Sequence, residues 1–560
     1  MLKKTLCILA TGLLFPILTF AQTPVLHDDN LNLSEVVNAP FEAVKISFNP
    51  QDSLLYVLTQ SGRIHRVDIE AGSMSEVQNN SDHGLQDVQG LDISSNGEIF
   101  IVGNNKNEQE ATNYAFLKKG TPDSVGNWEW VTIAEMAPYP LSNTDFDHIM
   151  NEVVLSPDEK FAYINSGSRT DHGEVQDVDG KYPDLRESPL TAKILKVPTD
   201  SINLFLENDQ EFLSSHGYIF AEGTRNSFGL AFDGNGELFS ADNAGERDDP
   251  GEFNWLQEGK HYGFPWRIGG NDTPMQYEGY NPDEDPLLTT DSRAEIFYND
   301  PEYPPRPEVV FVEPILNHGP DGVNYKHAET GEVFNAAEQD TTISSFTAHR
   351  SSLGLLFDSD SVLIDPYIGD GFVLAFTGGN DFAFLLQHMD DPGEDLMHLE
   401  LTKSGGTYEM TSKIIASGFL NPIDSEIIGE KIYVLEFSNS WLNSFSTTKI
   451  WEIDFSKTAT DIEENESELA NNFTLHQNYP NPFNPSTVIS YQLSVNSEVS
   501  LKVYDILGRE VASLVHGRKT AGKHDVTFNA RQLSSGIYFY TLTTEGAQPI
   551  SLTRKMILMK

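Results

Sequence analysis

The sequence predicts an all-β protein, a six-bladed β-propeller followed by a small C-terminal β-sandwich. Three observations carry this. A unit of two apolar-polar alternating stretches around a polar turn recurs six times between Ile46 and Leu435, and self-similarity at long period marks a repeat architecture. The last stretch of the chain instead alternates short strands with Pro, Asn and Gly turns, as a sandwich does. Charge separates the two regions: residues 472–560 hold 9 Lys+Arg against 5 Asp+Glu, whereas the whole chain holds 36 against 84, for a formal net charge of -48.

At the N-terminus, MLKKTLCILATGLLFPILTFAQ places Lys3 and Lys4 before an apolar run that ends at the small-residue site Thr19-Phe20-Ala21. This is a secretory signal peptide over residues 1–21, too short and too broken by Gly12 and Pro16 for a membrane anchor. Cys7 is the only cysteine and lies inside it, so the mature chain is expected to have no disulfide and no thiol chemistry. No later stretch is long and apolar enough to span a bilayer. The strong acidity argues against nucleic acid and against anionic membranes as partners, and suits a secreted protein or one that binds cations.

The propeller is expected over residues 22–455. Its six units are Ile46–Val57, Gly90–Val102, Val153–Ile164, Leu230–Phe239, Gly354–Asp360 with Gly371–Phe376, and Pro422–Leu435. Three are followed by a basic-apolar strand, Arg63–Val67, Lys193–Val197 and Lys449–Ile453. Each unit is a hairpin that must pack on its neighbours, which six blades around a channel achieve. A two-sheet sandwich explains the strands but not the repeated turn. The Pro-, Asp- and Tyr-rich segment Ile268–His349 is the main insertion, expected in loops on one face. Residues 456–471, SKTATDIEENESELAN, have the polar, acidic composition of a linker.

Chemistry concentrates in two places. Asp147-His148 precedes the third unit, and a histidine held by a carboxylate accepts a proton near neutral pH. Neighbours on a strand point oppositely, so Asp147 either orients His148 or binds substrate. Around the fourth unit, Arg225 offers a planar charged fork and Asn226 a donor and an acceptor, either for a ligand or for the many acids of the region. The loop that follows carries Asp242, Asn243, Glu246, Asp248, Asp249 and Glu252, a hard-oxygen set suited to calcium. A second acidic run, Asp171 to Gly180, lacks EF-hand spacing and is taken as a surface loop. There is no Cys nucleophile, HExxH, Gly-x-Ser-x-Gly or phosphate-cradling loop.

The blocks Thr224-Arg225-Asn226-Ser-Phe-Gly229-Leu-Ala-Phe232, Asp248-Asp249-Pro-Gly-Glu252-Phe-Asn254 and Tyr262-Gly263-Phe-Pro265, with Asp147-His148 upstream, resemble the soluble glucose/sorbosone dehydrogenase family. That resemblance implies a six-bladed propeller using pyrroloquinoline quinone (PQQ) and calcium to oxidise a sugar. It implies His148 as general base on the sugar hydroxyl, Arg225 and Asn226 at the quinone, and Glu252 and Tyr262 as calcium ligands with carbonyls near Ala244 and Gly245. The family also neutralises the quinone's carboxylates with basic side chains from the later blades. Here Phe372–Phe376 is followed by Thr-Gly-Gly-Asn-Asp, which leaves His349-Arg350 as the nearest candidates. A non-catalytic propeller that binds a glycan or a protein is the rival expectation. A calcium-dependent lactonase-type hydrolase is a further one, by fold analogy.

In residues 472–560, the run Asn478-Tyr-Pro-Asn-Pro-Phe-Asn-Pro485, with Asp505-Ile-Leu-Gly-Arg509, Ser535-Gly-Ile-Tyr538 and Lys555–Lys560, resembles the type A sorting domain of the type IX (Por) secretion system. It implies export across the periplasm to the surface or medium, with the secretion machinery as a partner. A carbohydrate-binding sandwich is the alternative.

Overall fold

The repeated turn is held by its own side chains. In the fourth unit, Asp233 Oδ1 accepts from the amides of Asn235 (2.9 Å) and Glu237 (2.8 Å), and Gly236 takes φ +77°. Asx turns of this kind end one strand and launch the next without any tertiary partner. Ser94 Oγ accepts from Glu98 N (3.0 Å) and Ser156 Oγ from Phe161 N (3.1 Å) across the second and third hairpin turns.

The computed structural model describes residues 23–456 apart from 124–127, 143, 145, 289–295, 378–387 and 439–446. It also describes 474–558 apart from 476–477, 479–482, 484, 494–496, 506–508, 521 and 546–550. The expected signal peptide and nearly all of the expected linker lie outside these residues.

Six antiparallel sheets form the first unit of structure. They begin with the innermost strands Ala43–Asn49, Asp87–Ile93, Met150–Leu155, Gly229–Phe232, Ser352–Phe357 and Pro422–Ile428. Each innermost strand packs on the next in that order, and the last packs on the first, which closes a ring. The six sequence repeats fall on the first two strands of the six blades, and the basic-apolar stretches are the third strands of blades 1, 3 and 6. The chain closes the ring on itself: Asn32–Asn38 pairs antiparallel with Lys449–Asp454 as the outermost strand of blade 6. Such closure ties the start of the propeller to its last blade through main-chain hydrogen bonds.

Alternation then sorts the side chains. Phe239 and Phe253 of blade 4 pack on Phe357 and Val373 of blade 5, whereas Leu238 and Leu256 pack towards Tyr163 and Ile194 of blade 3. Blade 4 thus has two buried faces, and a polar residue on either one must find its partner inside. At the centre, Lys45 of blade 1 makes a short contact with Glu152 of blade 3 and lies 3.7 Å from Asp424 of blade 6. The two acids hold the Lys45 ammonium above its ordinary pKa against the opposing effect of burial. The insertion is partly structured: Leu316–Pro320 runs parallel to the outer strand of blade 5.

The chain divides between residues 457 and 458 into two compact units. The second consists of two antiparallel sheets, one ordered Thr474–Leu475, Ser486–Leu493, Gly522–Asn529 and the other Glu510–Lys519, Ser497–Asp505, Gly536–Glu545, Ser551–Leu558. Ile489 and Tyr491 of one sheet share a core with Leu501, Val503 and Tyr540 of the other, as in a sandwich.

Among the described residues no helix is long and apolar enough to cross a membrane.

Candidate functional site

Side chains at the leading ends of the inner strands converge on one face of the ring. They enclose a cavity of about 740 Å³ lined from blades 2 to 4 by Gln89, Asp147, His148, Asn151, Asn226 and Asn243. On the side of blades 5 and 6 the lining is Ser351, Leu353, Phe376, Ile423 and Phe437.

His148 is fixed by its backbone. Its amide donates to Ser168 O (3.0 Å), and its Nδ1 faces the same carbonyl and the Ser168 hydroxyl, both at 3.2 Å. Nδ1 therefore carries the proton in the neutral ring, and Nε2 keeps its lone pair. The next residue, Ile149, takes φ +50°, a costly conformation for a β-branched residue and one found at sites that over-determine their geometry. Gly167 permits this packing, because a Cβ there would lie 2.4 Å from His148 Cβ. Burial, and then the nearby Arg225 charge, push the His148 pKa down to about 3, so the imidazole is neutral at any ordinary pH. Asp147 does not hold the ring. It faces the cavity, and its Oδ1 accepts from Ser142 N at 2.7 Å.

Below His148 lies a buried amide network. Asn151 Nδ2 donates to His148 O (2.9 Å) and to Asn226 Oδ1 (2.8 Å), and Asn165 Nδ2 donates to Asn151 Oδ1 (2.7 Å). Asn226 N donates to Asp242 in a short contact, and Arg225 N donates to Asp242 Oδ2 at 2.8 Å. Linked amides of this kind restrict one another's arrangement, although Asn165 Oδ1 is buried with no partner among the described residues.

Arg225 is engaged elsewhere than in the cavity. Its Nε donates to Asp171 O (2.8 Å), one terminal nitrogen lies 2.7 Å from Asp171 Oδ1, and the other donates to Asn243 O at 3.1 Å. Asp171 has no solvent exposure, and His172 and Glu174 are nearly as enclosed, so the first part of the run expected as a surface loop is interior, while Asp179 and Gly180 at its end are exposed. The Arg225 charge, with a hydrogen bond from His172, holds the Asp171 carboxyl far below the usual carboxylate range against desolvation. Gly245 passes so close that a Cβ would meet Asp171 Oδ2 at 2.8 Å.

The acids of the loop separate into two groups. Asp248 is bound by Lys326 (2.5 Å) and His349 (2.7 Å), and Asp249 by Arg247 (2.6 Å) and Asn271 (2.8 Å). Asp242 and Glu252 face each other across the strand pair without an ion pair among the described residues. Desolvation and Asp242 push the Glu252 pKa up to about 8, and desolvation raises Asp242 to about 6. One step along the same face, Ser240 pairs with Asn254, and Ser240 Oγ and Asn254 Oδ1 are buried with no hydrogen-bond partner. Of the other residues named for the metal, Tyr262 spends its hydroxyl on Trp255 O (2.7 Å) and Gln257 N (2.7 Å), and Ala244 packs on Phe264 and Ile268. Among the described residues no group of three or more His, Cys, Asp or Glu is arranged to hold a metal.

Arg350 does not line the cavity. It is 1% exposed and clamped by Asp391, in a short contact, and Asp395 at 2.5 Å. Thr377 follows the wall residue Phe376, and the residues beyond it in the Thr-Gly-Gly-Asn-Asp run lie outside the described ones. Sequence reasoning missed Asn151, Asn165, Ser168 and Gly167, whose roles depend on contacts between strands of blade 3 and, for Asn151, with blade 4. Asp242 and Glu252 had a signal, since they are the two acids of the loop that fall in strands, Leu238–Asp242 and Glu252–Leu256.

Residues 40–300 match the family model described as Glucose / Sorbosone dehydrogenase, and residues 477–559 match the Secretion system C-terminal sorting domain. Quinoprotein glucose dehydrogenase B of Acinetobacter calcoaceticus is 24% identical over 293 residues, which cover 47% of this chain and 59% of that protein. The chain thus spans under two thirds of the length of this relative. Among solved structures, the apo-form of the soluble aldose sugar dehydrogenase from Escherichia coli is similar with a TM-score of 0.47 and 14% identity, over 76% of this chain and 99% of that one. The PQQ-bound aldose sugar dehydrogenase of Streptomyces coelicolor gives a TM-score of 0.43 and 14% identity, over 76% and 98%.

Proposed function

We propose, for a chain that carries a glucose/sorbosone dehydrogenase region followed by a secretion sorting domain, that the propeller binds a sugar in the cavity and that His148 accepts a hydroxyl proton there. This is the proton-transfer half of a sugar dehydrogenation, performed outside the cell after export by the type IX machinery. The observation that carries the reading is the His148 ring, which lines the cavity beside Asp147 with Nδ1 committed to Ser168, so that Nε2 keeps its lone pair. Asn226, held in register by Asn151 beneath it, would orient the sugar hydroxyls, and burial together with the nearby Arg225 charge keeps His148 neutral in the resting state.

Two further groups follow from the family. Calcium suits the uncompensated pair Asp242 and Glu252, with Asn254 Oδ1 and Ser240 Oγ as further oxygens, and would there neutralise a doubly acidic site. PQQ would supply the hydride acceptor. It is a tricarboxylate, however, and the described lining offers one cation, Lys106, already 2.8 Å from Asp87. The residues present do not fit it, and no step is routed through it. That same wall favours a second reading, a propeller that binds a glycan without turning it over.

The test is dye reduction by the full secreted chain with calcium and PQQ over a panel of aldoses, beside calorimetric sugar binding. Turnover that disappears in His148→Ala supports the dehydrogenase reading. Sugar binding without turnover under any condition selects the second reading, and absence of sugar binding removes both.

A further inference from the structure

The cavity has two unlike walls, and the difference lies in this chain's own residues. Gln89, His148, Asn151, Asn226 and Asn243 form a hydrogen-bonding wall that also carries Asp147 and Lys106, and the Asn243 Oδ1 atom is buried with no partner among the described residues. Opposite stand Leu353, Phe376, Ile423 and Phe437, with the Phe376 and Phe437 rings 5.8 Å apart at 54°. Phe228 joins the two walls, and Lys45 lies 4.4 Å from the centroid of its ring, on the channel side.

Charge completes the description. From Ser351 to Ser456 the sequence has no arginine, and its lysines are Lys403, Lys413, Lys431 and Lys449. Lys403 pairs with Glu237, Lys431 with Glu452 and Lys449 with Glu35, while Lys413 stands exposed on the outer strand of blade 5. None lines the cavity. An anion entering this space would be desolvated beside Asp147 and against an apolar wall with one paired lysine in reach, which is unfavourable without a counter-charge.

We infer that the cavity takes an uncharged glycoside bearing an apolar aglycone. The sugar hydroxyls meet the amide wall around His148, and the aglycone covers Leu353, Phe376, Ile423 and Phe437. The volume of about 740 Å³ accommodates both parts within the range usual for organic ligands. This rests on the reading of the His148 cavity as the sugar site, and it names the substrate class for that site.

The test is calorimetry on the full chain in calcium with three probes: methyl and phenyl glycosides of one sugar, matched for each of several sugars, and PQQ. The phenyl glycoside is expected to bind about tenfold tighter than its methyl counterpart, the gain from covering one ring. In Ile423→Asn and, separately, in Phe376→Ser, with thermal melts as a folding control, the ratio of the two affinities should fall towards one. Micromolar PQQ binding, or equal affinity of the two glycosides in the unaltered chain, overturns the inference and leaves the proposed function standing. If neither glycoside binds, both fall.

Discussion

Blades 3 and 4 approach the cavity with a buried amide network that ties His148, Asn151, Asn165 and Asn226 to one another and to Asp242. Blades 5 and 6 approach it with Leu353, Phe376, Ile423 and Phe437. The backbone frame is the same on both sides, since each inner strand starts at the cavity and each second strand returns to it. The frame therefore sets where side chains stand, and the residues at its leading ends set what they can bind. A hydrogen-bonded wall tolerates little displacement because a partner that moves leaves a buried polar group unpaired. An apolar wall is non-directional and can repack.

The largest expected effect exploits that asymmetry. In Gly167→Ala the new methyl lies 2.4 Å from His148 Cβ and must displace the ring or the strand. A displacement on the order of 1 Å at a reacting group costs roughly 10²-fold in rate, so sugar binding and any turnover should fall by about that factor. Leu353→Val, a methylene removed from the other wall, should cost a factor of only a few in phenyl glycoside affinity, about 1 kcal/mol. Equal losses in the two variants, measured by calorimetry on chains with unchanged circular dichroism, would erase the distinction between the walls.

How much of this was legible beforehand follows from what each feature depends on. The blades were legible because period-2 alternation around an Asx or Ser turn is local: Asp233 to Glu237 forms its turn from residues within five positions. Asp147-His148 and Arg225-Asn226 stood out as chemistry-bearing pairs, and the structure brings His148, Asp147 and Asn226 to one cavity. Their partnerships did not follow from adjacency. Arg225 is held by Asp171, 54 positions earlier, and that acid lay in a run whose charge density suggested a surface. Charge count also could not divide the loop acids, because whether a carboxylate is free for a metal depends on which cation reaches it. Lys326 and His349 arrive at Asp248 from the insertion, whereas Glu252 receives only the neutral donors Asn254 Nδ2 (2.9 Å) and Gly269 N (2.8 Å) and no cation among the described residues.

Calcium sharpens the comparison at intermediate magnitude, because the only uncompensated acid pair of that loop lies on the polar side. Glu252 and Asp242 have folded pKa values raised to about 8 and about 6. Raised carboxyl values mean that the native metal-free protein binds more protons than the unfolded chain across this window, so the contribution of the pair to stability falls as pH rises through it. A cation competes with those protons. The rise in Tm on adding calcium should accordingly be small at pH 5 and grow to several degrees by pH 8, EDTA should reverse it, and Glu252→Gln should remove it. A calcium shift that is independent of pH, or that survives Glu252→Gln, would place the cation elsewhere.

The smallest effect concerns the channel below the cavity, where the two sides differ again. Glu152 on blade 3 has Lys45 as a partner, whereas Glu426 on blade 6 has only the amides of Phe48 (3.1 Å) and Ile427 (3.2 Å). Desolvation pushes the Glu426 pKa up to about 8, with Asp92 and Asp424 adding to the shift. Its contribution to stability is thus fully present below the unfolded value near 4.5 and is lost as pH rises through about 8. Glu426→Gln keeps an acceptor for the amides and removes the charge. It should match the parent at pH 4 and exceed it by on the order of 1 kcal/mol at pH 9, read from denaturant unfolding at both pH values. Desolvation raises the Glu152 pKa to about 8 as well, against the Lys45 charge, but Glu152→Gln also strands the Lys45 ammonium in the channel with Asp424 as its one remaining acid and should lose stability at pH 9. If both variants gain stability at pH 9, Lys45 is not the residue that distinguishes the two sides of the channel.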